Sequence, residues 1–74
     1  MSAIEKAVLA DVERDGEILV LMDGRRLKVT RPDDATAASV WFPDARLTLR
    51  PSTRRGGTLS VTNEDSGETI LAVA

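Results

Sequence analysis

Residues 15–30 read Asp15-Gly16-Glu17-Ile18-Leu19-Val20-Leu21-Met22-Asp23-Gly24-Arg25-Arg26-Leu27-Lys28-Val29-Thr30, and their reading decides the fold. Asp-Gly tolerates the positive φ that tight hairpin turns demand. Two such dipeptides, eight residues apart, enclose Glu17 to Met22, a natural strand length. Beyond the second, Arg26, Lys28 and Thr30 alternate with Leu27 and Val29, the period of a half-buried strand. Three strands in a meander follow, ended at Arg31-Pro32 because Pro cannot donate to a ladder. The middle strand is apolar on both faces. One face fills an interior, and the other is covered within the fold, covered by a partner, or left as a docking patch. Cover within the fold is the expectation.

Toward the N-terminus, residues 2–13 support two readings. Ser2-Ala3-Ile4-Glu5 has capping-box spacing, and Ile4, Ala7, Val8 and Asp11 share a helical face. Val8, Ala10 and Val12 alternate with Leu9, Asp11 and Glu13, as in a strand entering a hairpin. We expect a strand over residues 6–13, with residues 1–7 flexible or helical as the alternative.

Toward the C-terminus, Pro32-Asp33-Asp34 opens a loop whose Asp side chains are expected to cap a short helical turn through Ala35–Ala38. Pro43-Asp44 then turns into Arg46-Leu47-Thr48-Leu49-Arg50, which alternates strictly. Residues 51–57 form a polar loop, and Thr58 to Thr62 a strand with Leu59 and Val61 inward. Asn63 to Gly67 is a turn with Gly67 placed for a bulge, and Glu68 to Val73 is the last strand. Five to six short antiparallel strands without a long helix argue an all-β barrel, with residues 1–74 as one domain. An SH3-like barrel is favoured over an OB-fold, which carries a helix between its third and fourth strands. Ala35–Ala38 is too short for that helix.

The Asp23-Gly24 hairpin, Trp41-Phe42-Pro43-Asp44 and Asn63-Glu64-Asp65-Ser66-Gly67-Glu68 carry a likeness to something known. In these residues the chain resembles small uncharacterised bacterial proteins with an Asp-Gly hairpin, a Trp followed by Pro, and a late Asn-x-Asp-x-Gly-Glu turn. The resemblance spans residues 8–71 and implies an SH3-like β-barrel and no activity. Ala45 follows Pro43-Asp44 where those proteins carry Gly, and Leu27 stands where an aromatic is common.

Composition removes whole classes of chemistry. The chain has 74 residues, no Cys and no His. Disulfides, thiolate nucleophiles, His-based triads and His/Cys metal sites are thereby excluded. A chain this short buries only about 60% of its unfolded surface, so association with itself or a partner is a natural support. An acid at Glu5 with no apolar run behind it is not a secretory leader, and no stretch approaches the roughly 18 apolar residues of a membrane span. The cytoplasm is the expected location.

A net charge of −2 conceals segregation, with −4 over residues 1–24, +5 over residues 25–55 and −3 over residues 56–74. Ordinarily a folded domain sets such charges against each other across neighbouring strands. If the strands bearing Arg26 and Lys28 and bearing Arg46 and Arg50 are neighbours, four cations share a face, extended by Arg54 and Arg55. That is a phosphate-backbone footprint. Trp41 and Phe42, the only large rings, form either a partner-binding platform or a core plug, and the plug is favoured for Trp41. Asp33-Asp34 and Glu64-Asp65 are loop acids that suit capping and turns better than acid–base catalysis. No cofactor, metal or catalytic residue is expected. The chain reads as a non-enzymatic interaction module that meets a protein partner or itself, as in a homodimer. The contact would run through an edge strand or the outer face of the second strand, and nucleic-acid (RNA) binding is the alternative.

Overall fold

A computed structural model of the chain describes residues 4–51 and 57–73. In chain order it contains β1 (Glu5–Glu13), a one-turn 3₁₀ segment (Arg14–Gly16), β2 (Ile18–Leu21), β3 (Arg26–Val29), α1 (Pro32–Ala38), β4 (Arg46–Pro51), β5 (Thr58–Asn63) and β6 (Thr69–Val73). The six strands are antiparallel and close into a barrel in the order β1-β2-β3-β6-β5-β4. Two three-stranded meanders, β1–β3 and β4–β6, therefore meet along two seams, β1–β4 and β3–β6. Closure pairs each strand on both sides, although the β3–β6 seam is only two residue pairs long.

Period-two alternation fills the interior. Leu9, Leu19, Leu21, Leu27, Leu47 and Leu49 are fully buried there with Val61 and Ile70. Each such side chain stabilises by about 1.5–3 kcal/mol relative to exposure. Strand β1 begins at Glu5, so no helix forms from that residue on, and residues 1–3 lie outside the described set. A bulge at Ala10 shifts the β1–β2 register between the Leu9–Leu21 and Asp11–Val20 pairs.

The second Asp-Gly closes a three-residue hairpin. Gly24 (φ 94°) donates its N–H to the Leu21 carbonyl at 2.9 Å, and Leu21 N donates to the Arg25 carbonyl at 2.8 Å. At the first, Arg14 (φ 53°), Asp15 (55°) and Gly16 (95°) are all left-handed. Gly16 is required on a second count, since a Cβ there would lie 1.9 Å from the Ala35 carbonyl oxygen of α1.

Pro32 ends the ladder of β3 by starting a helix. It occupies the first helical turn, where its fixed φ fits and its missing N–H would be unpaired anyway. Helix α1 therefore spans seven residues rather than the short turn expected over Ala35–Ala38. It lies between the third and fourth strands, yet the six-stranded closed order differs from the five-stranded Greek key of an OB-fold. Ala35 and Ala38 are buried against the barrel end. The N-cap makes no side-chain hydrogen bond, so the expected Asp cap is absent. Asp34 instead accepts the Leu71 backbone N–H of β6 through Oδ2 at 3.1 Å.

The outer face of β2 is covered only in part, and Met22 just beyond it is 57% exposed. Ile18 and Val20 are half-buried. Their outer-face partners are Glu13 on β1 opposite Ile18 and Arg26 on β3 opposite Val20. The Arg26 guanidinium donates to the Glu13 carboxylate across the strand, roofing both side chains with an ion pair.

Candidate functional site

The chain leaves α1 through Ser39, whose N–H bonds the Ala35 carbonyl at 2.9 Å, and Trp41 N donates to the Ala38 carbonyl at 3.0 Å. These bonds fix the direction in which consecutive side chains leave the backbone. Trp41 turns into the barrel end and is 5% exposed, while Phe42 points out and is 79% exposed. Indole Nε1 donates to Glu68 Oε1 at 2.9 Å, so the one polar atom of the buried ring is paired.

Phe42 stands on a fixed base. Ala45 N donates to the Phe42 carbonyl at 3.3 Å, and Asp44 holds φ at 71°. Both sides of the turn are pinned to β1, with Asp44 N donating to the Leu9 carbonyl (2.7 Å) and Leu9 N donating to the Ala45 carbonyl (2.9 Å). An exposed ring on such a turn loses little further freedom on binding.

A cleft of about 240 Å³ opens beside it. One wall is Val40, Trp41, Phe42 and Ala45, and Val40 is itself 68% exposed. The other wall is the β5–β6 loop, through Asn63, Asp65, Ser66 and Glu68. That loop is organised by Asn63, which is 3% exposed and accepts the N–H groups of Asp65 (2.9 Å) and Ser66 (3.3 Å) through Oδ1. Gly67 N donates to the Asn63 carbonyl at 2.7 Å, and Glu64 N donates to the Arg46 carbonyl at 2.8 Å. Among the described residues Asp65 and Glu68 carry the only charges on the cleft lining, and both are negative. Its volume is below the roughly 300–1,000 Å³ of small-molecule sites. Side-chain anchors are the better match.

Two larger clefts expose no aromatic ring. One, of about 410 Å³, is lined by Lys6, Ala7, Val8, Arg46, Leu47 and Glu64. The other, of about 390 Å³, runs along Asp15, Glu17 and the Val29–Pro32 segment to Ala35. Among the described residues no group of acidic side chains is arranged to hold a metal ion. No helix there is long and apolar enough to cross a membrane.

The expected cation patch is divided. Arg26 and Lys28 sit on β3, and Arg46 and Arg50 on β4. Two strands separate β3 from β4 in either direction around the barrel, so the condition for a joined patch fails. Arg26 is in addition committed to Glu13. Arg54 and Arg55 lie outside the described residues. The second wall of the cleft escapes the sequence reading, in which Asn63 to Gly67 is a turn and Glu68 starts the last strand. A buried Asn opening an Asx turn gives no signal distinct from an exposed one.

No protein-family model, curated protein or solved structure matches the chain.

Proposed function

We propose that the protein is a non-enzymatic polypeptide-binding module, a small barrel of the SH3-like kind that receives an apolar side chain in the Val40–Phe42 cleft. The observation that carries this reading is Phe42, 79% exposed on a turn pinned twice to β1. Isolated exposed apolar residues are ordinary on protein surfaces. Two neighbours flanking a cleft with an indole in its wall are the arrangement of a docking anchor, since interface energy concentrates on aromatic residues in desolvated pockets. The catalytic alternative has little to work with, because Asp65 and Glu68 have no His, Cys or Lys beside them in the cleft. A nucleic-acid footprint is less favoured, because its cations fall on separated strands and the chain's net charge is negative.

A photo-crosslinking residue at position 42, in cells, tests the reading. Polypeptide adducts are expected there and not from the same residue at position 28. Equal capture at both positions, or adducts with nucleic acid, would refute it.

A further inference from the structure

We infer that the occupant of the Val40–Phe42 cleft is a cationic segment of a partner protein, in which an apolar side chain is followed or preceded closely by Lys or Arg. The inference rests on the polypeptide-binding reading and specifies the partner's chemistry.

The argument is one of charge and shape. One wall of the cleft is apolar, and the other carries the carboxylates of Asp65 and Glu68 with no base among the described lining residues. Glu68 spends Oε1 on the Trp41 indole and keeps Oε2 for a second donor. The Asp65 backbone N–H is held by Asn63, which aims the residue's loop, while among the described residues no ion pair engages its side chain. Asp44, in the turn beneath Phe42, and Glu64, in the loop, add negative field at the same end of the barrel. Two bases stand nearby: Lys6 pairs with Glu64 at 3.8 Å and donates to Thr48, and Arg46 lies beside Glu64 with its carbonyl accepting the Glu64 N–H. These answer Glu64 rather than the Asp65 and Glu68 rim. An acidic partner segment meets repulsion from the Asp65 and Glu68 carboxylates on the cleft lining, and a neutral one leaves them unanswered.

The same charges argue against a second copy seated face to face. A two-fold contact whose axis runs through the cleft rim brings the Asp65 and Glu68 carboxylates of the two copies close to one another. Like charges so juxtaposed oppose association.

The test is selection from a bead-displayed random peptide library on the full-length protein, with Phe42→Ser as the counter-selection. Peptides lost on Phe42→Ser are expected to pair a Leu, Met or aromatic residue with Lys or Arg within two positions. In anisotropy titrations of the best such peptide, Phe42→Ser should weaken binding more than about tenfold. An Asp65→Asn/Glu68→Gln double variant should weaken it about fivefold, as two rim ion pairs are worth. Gln at position 68 retains an acceptor for the indole, and an unchanged thermal unfolding midpoint certifies the fold of each variant. Raising NaCl from about 50 mM to about 500 mM should weaken the wild type and leave the double variant nearly unchanged. Selected peptides without a basic bias, or equal affinity in the double variant, overturn the inference while the polypeptide-binding reading stands. A dimer in sedimentation that Phe42→Ser abolishes overturns it in favour of a second copy. If no peptide distinguishes wild type from Phe42→Ser, the underlying reading falls with it.

Discussion

Between β1 and β4 the barrel is joined by four residue pairs, Glu5 to Val8 against Leu49 to Arg46, prolonged by the two Leu9 bonds to Asp44 and Ala45. Between β3 and β6 it is joined by two pairs, Lys28 with Val73 and Val29 with Ala72. Past those pairs a carboxylate stands in for a strand, and α1 fills the space where a ladder would run. The first seam is made of backbone, which almost any side chain would preserve. The second depends on Asp34 and on the seat of α1 against Gly16. Local opening is drawn from regions with few backbone bonds, so the β3–β6 seam is where the barrel should open first.

Four substitutions break or sharpen this contrast. Leu47→Ala empties the interior beside the β1–β4 seam and should cost about 2–5 kcal/mol in denaturant unfolding, with both seams lost together. Gly16→Ala forces a methyl onto the Ala35 carbonyl at a left-handed backbone position. A cost of about 2–4 kcal/mol is expected, with α1 displaced before the barrel melts. Asp34→Ala strands the Leu71 N–H and should cost about 1–3 kcal/mol, while Asp34→Asn, which keeps an acceptor, restores most of it. Amide exchange separates the seams in this variant. Leu71 and its neighbours on β6 should exchange faster while Ala7 and Val8 do not, and equal acceleration at both would defeat the distinction.

The smallest effect lies at the opposite end of the barrel. The Arg25 backbone N–H, opposed by some desolvation and reinforced by the Arg25 guanidinium, holds the Asp23 carboxyl below its ordinary value. Glu5 and Asp23 together raise the Arg25 pKa. A carboxyl depressed on folding stabilises above its unfolded value of about 3.9 and loses that contribution as pH falls through the folded value. Stability of Asp23→Asn should therefore fall short of wild type slightly at neutral pH and converge with it on acidification. A gap that widened toward low pH would contradict this.

Most strand positions were legible because alternation is a local signal. Leu27 and Val29, or Leu47 and Leu49, announce an inner face whatever they pair with. Neighbourhood is not local. Nothing in Arg26, Lys28, Arg46 and Arg50 reveals that α1 interrupts the meander and sends β4 back to β1, which is what divides the cations. Pro32 signals the end of a ladder in the sequence, although the same ring geometry starts a helix. The Trp41–Phe42 step was only half legible. Opposite orientation follows from adjacency, but the partner of the indole, Glu68, lies 27 positions away and had been read as the start of a strand. The cleft needed both pieces.

The roof over β2 has a consequence outside the folded state. Glu17-Ile18-Leu19-Val20-Leu21-Met22 has no Pro or Gly and a single charge, the composition from which steric zippers form. The Arg26–Glu13 pair is exposed and worth only about 0–1 kcal/mol to the barrel. Its larger effect is colloidal. Charges that flank such a segment oppose strand addition once a chain unfolds, and Glu13 and Arg26 flank this one. Neutralising them would leave the melting curve almost untouched and shorten the time the protein stays in solution.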